Sequence, residues 1–314
     1  MKSVLLTATL LCAATVAPAQ VITVSTTNPG GLSHSIGSAL ARTVTETTDL
    51  NMVVVPAGGS PQPAVAGGEA ECGINVAFDV VYYAQGTAFY SADGAHPNLR
   101  MVAALLPSLI TMYVRNDSPA QGIADLRGLR VPGGLNAQLA IGAIYETYLE
   151  MAGLTRDDVD TIPAQSIVQA ADDFSAGRND AFLFSIGTAK VLEVDSAVGG
   201  VRALNVDDTE ANRAILEANL PGASFALLDT GTSPQIQAPT NVITYDLVLF
   251  CADTVPDATI ATIVESLHAN PAMLAESFAA MRRFSPAGMA PATPGLAYHP
   301  GALAAYETLG IAAN

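Results

Sequence analysis

The stretch VITVSTTNPG GLSHSIGSAL ARTVTETTDL NMVVVPAGGS, residues 21–60, decides the fold class. Val21 to Ser25 is a short apolar, β-branched run, which predicts a strand. Asn28-Pro29-Gly30-Gly31 is a turn, and Ser33 after it is a candidate N-cap. Ile36, Ala39, Leu40, Thr43 and Val44 then recur at helical spacing on one face. Asn51 to Val55 predicts a second strand, and Pro56-Ala57-Gly58-Gly59 turns the chain. Ser60-Pro61 opens a short helix with proline in its first turn. Gly73 to Ala77 repeats the strand, and a helix starts at about Asp79. Apolar strands alternating with helices call for an α/β fold with a mostly parallel sheet covered on both faces.

Further along, Leu109 to Val114 forms an isolated apolar strand, after which the strand–helix pattern restarts. Leu129-Arg130-Val131 runs into the glycine turn Pro132-Gly133-Gly134 and a helix over about Ala137 to Ala152. Strands follow at Val159–Ile162 and Ala181–Phe184, the latter after a helix that ends at Gly177. Val242 to Phe250 is a second long apolar strand, and the remainder is helical: Asp257–His268, Pro271–Phe284 and Pro300–Leu309. The segment 206–241 mixes a polar helix with a Gly/Ser/Thr/Pro-rich loop. The expectation is one α/β unit inserted into another and joined by two crossing strands. Residues 20–113 with 242–314 form the first lobe, and 114–241 the second. A chain of 314 residues suits two such cores.

Met1-Lys2-Ser3, the apolar run to Val16 and the small-x-small Ala17-Pro18-Ala19 predict a signal peptide over 1–19. That run is too short to span a bilayer. Leu11 stands before Cys12 where a lipoprotein signal wants a small residue, so a freely periplasmic protein is expected. The net charge is −16, and losing residues 1–19 removes one Lys and no acid, leaving −17. Such a surface repels nucleic acid and anionic lipid, so neither is expected as a partner. Any anionic ligand must be held by local groups. Cys72 and Cys251 remain after cleavage, and two cysteines in an exported protein invite a disulfide, the alternative being two buried thiols. The histidines and cysteines have no metal-ligand spacing, so neither a metal nor another cofactor is expected.

In open α/β sheets ligands meet the C-terminal ends of strands, where helix N-termini present free N–H groups. Three loops satisfy this rule: Asn28 to Ser35, Ala57 to Ser60 and Pro132 to Gln138. Within them Gly31, Gly59, Gly133 and Gly134 would let backbone amides approach a ligand, or merely cap strands. Asn28, Ser33, His34, Ser35 and Ser60 supply polar groups from the first lobe; Ser33 is equally a plain N-cap. Asn136 and Gln138 either contact ligand from the second lobe or cap its helix. Arg115, near the hinge, either binds a carboxylate in bidentate fashion or pairs with Asp117. Tyr245 either lines the cleft or packs in the hinge. Asp79 reads as a helix cap rather than a neighbour of an anion.

A set of motifs in order along the chain resembles the TAXI-type solute receptors of TRAP transporters, two-lobed periplasmic binding proteins. The marks are Gly30-Gly31 leading into Ile36-Gly37-x-Ala39-Leu40-Ala41, Gly58-Gly59-Ser60, and Ala66-Gly67-Gly68-Glu69-Ala70. They continue with Val114-Arg115-x-Asp117-Ser118, Ile123-x-Asp125-Leu126-x-Gly128-x-Arg130-Val131, Ser175 to Phe182, and His299-Pro300-Gly301-Ala302. The resemblance covers nearly the whole chain after residue 19. It implies a monomeric receptor, not an enzyme, that delivers glutamate, 2-oxoglutarate or a similar organic anion to a TRAP permease. A receptor for an ATP-driven importer and a dehydratase-like enzyme share the architecture and are the competing expectations. Three ligand-facing segments depart from the family: Gly31-Leu32-Ser33-His34-Ser35, Phe78 before Asp79, and Gly133 to Gln138. By the family's architecture the return strand lies antiparallel beside the third strand. That sets Cys72 opposite Cys251, within disulfide reach.

Overall fold

The computed structural model describes residues 21–313; the expected signal peptide and Cys12 lie outside them. In chain order the first part comprises β1 (Val21–Thr26), α1 (Leu32–Thr47), β2 (Asn51–Pro56), α2 (Gln62–Ala66), β3 (Cys72–Val76), α3 (Ala77–Gln85) and β4 (Leu99–Arg115). There follow β5 (Arg130–Gly133), α4 (Leu139–Met151), β6 (Asp160–Pro163), α5 (Ile167–Ser175), β7 (Ala181–Ser185), α6 (Ala189–Val198), β8 (Val201–Ala203), α7 (Glu210–Asn219) and β9 (Ser224–Leu228). The chain returns through β10 (Thr240–Ala252) and ends in α8 (Asp257–Ala269), α9 (Pro271–Ser277) and α10 (Pro300–Leu309).

Two α/β lobes are joined through β4 and β10. The sheet is mixed. β1 pairs in parallel with β2 and β3, and β5 with β6, whereas every pair involving β4 or β10 is antiparallel. The two long strands pair with each other from Ile243–Ile110 to Ala252–Leu99. Their outer neighbours change along the way. Leu247 to Cys251 of β10 lie against β3, whereas Thr240 to Thr244 lie against β9. On β4, Ile110 to Val114 lie against β7.

β4 begins ten residues earlier than the sequence predicts. The added segment, Leu99 to Ser108, is rich in Ala and Leu and contains Pro107, a composition that reads poorly as strand. It is held extended because it is buried between β10 and the C-terminal helices. Its register slips twice against β10, at Leu247/Val248 and Leu249/Phe250. The slips place one extra residue on β4 each time, which bends and twists the ladder. Tyr306 of α10 donates its hydroxyl to the carbonyl of Val102, one of these extra residues, at 2.6 Å. β9 is likewise unforeseen. Its Ala and Leu residues carry little strand signal, and β10 supplies the ladder that fixes them. The helix expected over Pro271–Phe284 stops at Ser277, because Phe278 turns extended and packs on the core before a 3₁₀ turn over Ala279–Arg283.

Several recurrent-looking motifs are structural ties. His299, fully buried, caps α10 by accepting from the Gly301 N–H at 3.2 Å, and burial lowers its pKa, which keeps that lone pair free. A Cβ on Gly301 would lie 2.2 Å from the Asp257 carbonyl, so the contact of α10 with α8 requires glycine there. Asp180 takes Arg130 in bidentate fashion, tying β5 to the start of β7.

Cys72 and Cys251 face each other in the β3–β10 register and form a disulfide across a sequence separation of 179. Closing so long a loop restricts the unfolded chain, so replacing both cysteines by Ala should lower unfolding free energy on the order of 4–5 kcal/mol. Chemical denaturation with and without reductant measures it. Two free thiols in oxidised, denatured protein would contradict the bridge.

Candidate functional site

The strand ends prepare the site. β1 delivers Thr27 and the Gly31 turn to the start of α1. β3 delivers Asn75 and Val76 to the start of α3. β7 ends at Ser185, and the N-termini of α4 and α5 arrive at Gln138 and Ile167. These groups surround a narrow cavity of about 60 Å³. The first lobe contributes Ser33, Ser60, Asn75 and Asp79; the second Gln138 and Ser185; the crossing strands Ser108 and Tyr245. Four helix N-termini therefore border one enclosure. At α1 the amides of Leu32, Ser33 and His34 have no side-chain cap, because the N-cap is Gly31. Such termini favour negative charge through their free N–H groups and the helix dipole.

No Lys, Arg or His is among the described residues that line this cavity. Lys190, at the start of α6, approaches the first lobe at Gly30, but its ammonium is engaged by Asp172 at 3.1 Å and Glu193 at 2.9 Å. The cavity hydroxyls hold one another: Ser33 contacts Thr27 Oγ1 at 2.7 Å and accepts from the Thr27 N–H, and Ser108 lies 3.3 Å from Ser185. The Gln138 side-chain oxygen accepts from the Ile167 N–H at 2.7 Å and so caps α5 from a different helix.

Asp79 is the exception to this neutral lining. It sits in the first turn of α3, fully buried. Asn75 donates to its Oδ2 at 2.6 Å and to Gln62 Oε1 at 2.9 Å, which uses both amide hydrogens. Burial pushes the Asp79 carboxyl up to about 6, and the nearby Gln62, Tyr90 and Asn75 donors only partly offset that rise. Gln62 and Tyr90 act at a distance, since neither closes a hydrogen bond to Oδ1; Oδ1, Gln62 Nε2 and the Tyr90 hydroxyl are all buried without a partner.

The cavity gathers Gly31, Ser33, Ser60, Gln138 and Tyr245 from the residues singled out by sequence. Tyr245 serves both readings, lining the cavity while its ring packs edge-on against Phe78. Gly59 and Asn136 instead line an outer hollow of about 630 Å³, with Ser60 shared between the two. There the loops of the two lobes touch: the Ser60 N–H donates to the Ala137 carbonyl at 2.9 Å, and a Cβ on Gly59 would lie 2.7 Å from that oxygen. Asn28 closes its own turn by accepting from the Gly31 N–H. His34 turns back to Thr26 Oγ1 at 3.2 Å, and Ser35 bonds the Gly31 carbonyl. Gly133 packs where a Cβ would meet Thr161, and Gly134 occupies a left-handed turn (φ 69°), so both serve the β5–β6 edge. Arg115 takes no part in the cavity, because β4 carries it past the crossing; its guanidinium lies over the Phe174 ring at 5.4 Å.

Sequence reading missed Asn75, Ser108 and Ser185 and gave Asp79 a capping role only. The rule for strand ends, applied also to β3 and β7, would have found Asn75 and Ser185. Gln62 and Tyr90 join only through tertiary packing.

Residues 24–310 match the NMT1-like family, and the chain belongs to it. Among solved structures it is similar to the alkanesulfonate-binding protein SsuA from Xanthomonas axonopodis pv. citri bound to MOPS, with 17% identity over 88% of each chain and a TM-score of 0.51. It is also similar to a periplasmic transporter structure, at 14% identity over 93% of this chain and 95% of that one, TM-score 0.56. A protein from Bordetella bronchiseptica RB50 matches at 13% identity over 92% and 98%, TM-score 0.57. These likenesses establish the two-lobed α/β fold.

Asp79 binds its proton more firmly in the fold, at about 6, than in an unfolded chain, at 3.8. Its protonated form therefore contributes fully below about pH 4, and the contribution is lost as pH climbs through 6. Asp79→Asn should stabilise the protein by about 1–3 kcal/mol at about pH 8 and by nothing at about pH 4. Urea unfolding at both values checks this; equal effects at both would refute it.

Proposed function

We propose that this member of the NMT1-like family is an exported solute receptor that closes its lobes on a small organic anion and delivers it to a TRAP-type permease. The observation that carries the reading is the narrow enclosure between the lobes, bordered by four helix N-termini and hydroxyl and amide groups. α1, α3 and α4 start without a side-chain cap, and such free amides satisfy an anion without a cationic side chain. Its serines have no His, Lys or Arg beside them among the described lining residues, and the lining carboxyl, Asp79, is bonded to Asn75 rather than to a serine. That favours binding over catalysis. The Xanthomonas protein of similar fold, named for alkanesulfonates and holding MOPS, is consistent with an anion in a cleft of this kind.

Our reading moves the hinge from the expected boundaries at 113/114 and 241/242 to the Ser108–Tyr245 pair, with residues 21–107 and 246–313 as the first lobe and 108–245 as the second. The exchange of neighbours on β10 between Thr244 and Leu247 supports this division. Pro107, which has no N–H to give the ladder, and the adjacent register slip supply the compliance there. The Ser60–Ala137 hydrogen bond marks the closed form, and ligand would enter by its breaking.

Mass spectrometry of ligand retained through gentle purification should return a small carboxylate or sulfonate; a neutral sugar or a cation would sink the anion reading. A large permease gene adjoining this one supports the TRAP assignment, and an ATPase gene would replace it with an ATP-driven importer. Small-angle scattering should show a smaller radius of gyration when that ligand is added. Gly59→Val, which sets side-chain atoms against Ala137, should weaken binding roughly ten-fold, about 1.4 kcal/mol, and leave the scattering profile open.

A further inference from the structure

We propose that the cavity takes its anion together with one proton, held on Oδ1 of Asp79 and donated to the ligand. The inference rests on the anion reading above and goes further, naming the residue that decides which protonation state binds. Its basis is geometric. Asp79 lines the cavity and is fully buried, and its Oδ2 is taken by Asn75 while Oδ1 has no partner. A carboxylate there would face a bound anion with no cation between them, because no Lys, Arg or His is among the described lining residues. The same carboxyl carrying a hydrogen on Oδ1 becomes a donor and completes the ring of amides and hydroxyls around the ligand. The anti-correlation is strict: ionised Asp79 repels the anion, and protonated Asp79 binds it. Burial supports the protonated form by holding this carboxyl well above the usual range.

The groups that face Asp79 do not substitute for it as the titrating site. Gln62 of α2 and Asn75 of β3 are neutral amides. Tyr90, in the 3₁₀ turn Ala88–Tyr90, and Tyr245 of β10 have pKa values raised by burial above the ordinary tyrosine range, so both stay neutral wherever Asp79 titrates. On neighbouring elements, His34 of α1 bonds Thr26, and His96 stacks on Tyr83 of α3. The Asp79 variant separates any effect of these histidines from that of Asp79.

The experiment uses calorimetric titration with 2-oxoglutarate and short alkanesulfonates, whose charge is constant between about pH 5.5 and about pH 8, and with glycine betaine and putrescine as cation-bearing controls. Expected is an anion whose affinity falls on the order of 50- to 100-fold from the lower to the higher pH, since only the protonated fraction binds. Titrations at about pH 8 in buffers of different ionisation enthalpy should show uptake of close to one proton per ligand. Asp79→Asn retains a donor at the Oδ1 position and should bind the anion equally at both pH values, near the wild-type affinity at the lower one. Should that variant misfold, the proton count on the wild type decides alone. Anion binding with no pH dependence, or a dependence that survives in Asp79→Asn, overturns the proton proposal and leaves the anion reading standing. Binding of the cation-bearing probes alone, tighter as pH rises, would make Asp79 a counter-ion and overturn both.

Discussion

Everything in this fold hangs on the antiparallel pairing of β4 with β10. Each strand belongs to both lobes, so the pair is at once core strand, lobe connection and floor of the cavity. Its hydrogen bonding is interrupted at defined places rather than uniformly weak. Tyr148, reaching from α4, donates to the Ile110 carbonyl at 2.7 Å and accepts from the Ile243 N–H at 3.1 Å, so one hydroxyl stands between two strand residues that are register partners. Tyr306 plays the matching part from α10, at the slip around Val102. The Ile110 and Val102 carbonyls and the Ile243 N–H thus find partners outside the ladder where it is irregular.

The cavity follows from that geometry. Its two walls are strand ends and helix starts, and the crossing strands supply Ser108 and Tyr245 between them. An acidic protein cannot attract an anion from a distance. On the anion reading, its recourse is short-range: uncapped amides, hydroxyls, and a buried carboxyl that can carry a proton. Lys190, the cation that approaches the first lobe at Gly30, is already neutralised by Asp172 and Glu193. On that reading, selection at this site would be a matter of donors and shape rather than of opposite charge.

How much of this was legible in the residues depends on the range of the interaction concerned. β1, α1 and β2 are written in local periodicity, and their bounds differ from expectation by a residue or so. The glycine loops were visible because turns leave a compositional trace, and the lobe-to-lobe touch of Ser60 with Ala137 joins two of them. The first half of β4 was not legible: Ala, Leu and Pro carry no strand signal, and only the flanking β10 makes that segment extended. Asp79 was seen as a cap, and it does occupy the first turn of α3; the Gln62 and Tyr90 donors near it come from 17 and 11 residues away, and sequence spacing does not reveal such neighbours. Arg115 was misleading for a related reason: proximity to the crossing in sequence says nothing about which side of it a side chain serves.

The disulfide has a topological meaning of its own. Cys72 and Cys251 belong to the same lobe, and the covalent loop they close contains every residue of the second lobe. The second lobe is therefore tethered at both ends to one anchored point. A protease that cuts it anywhere produces a nicked molecule, not two fragments, and the two halves of the first lobe, distant in sequence, stay linked even when the peptide chain between them is broken. That makes the second lobe a place where a break in the chain can be survived.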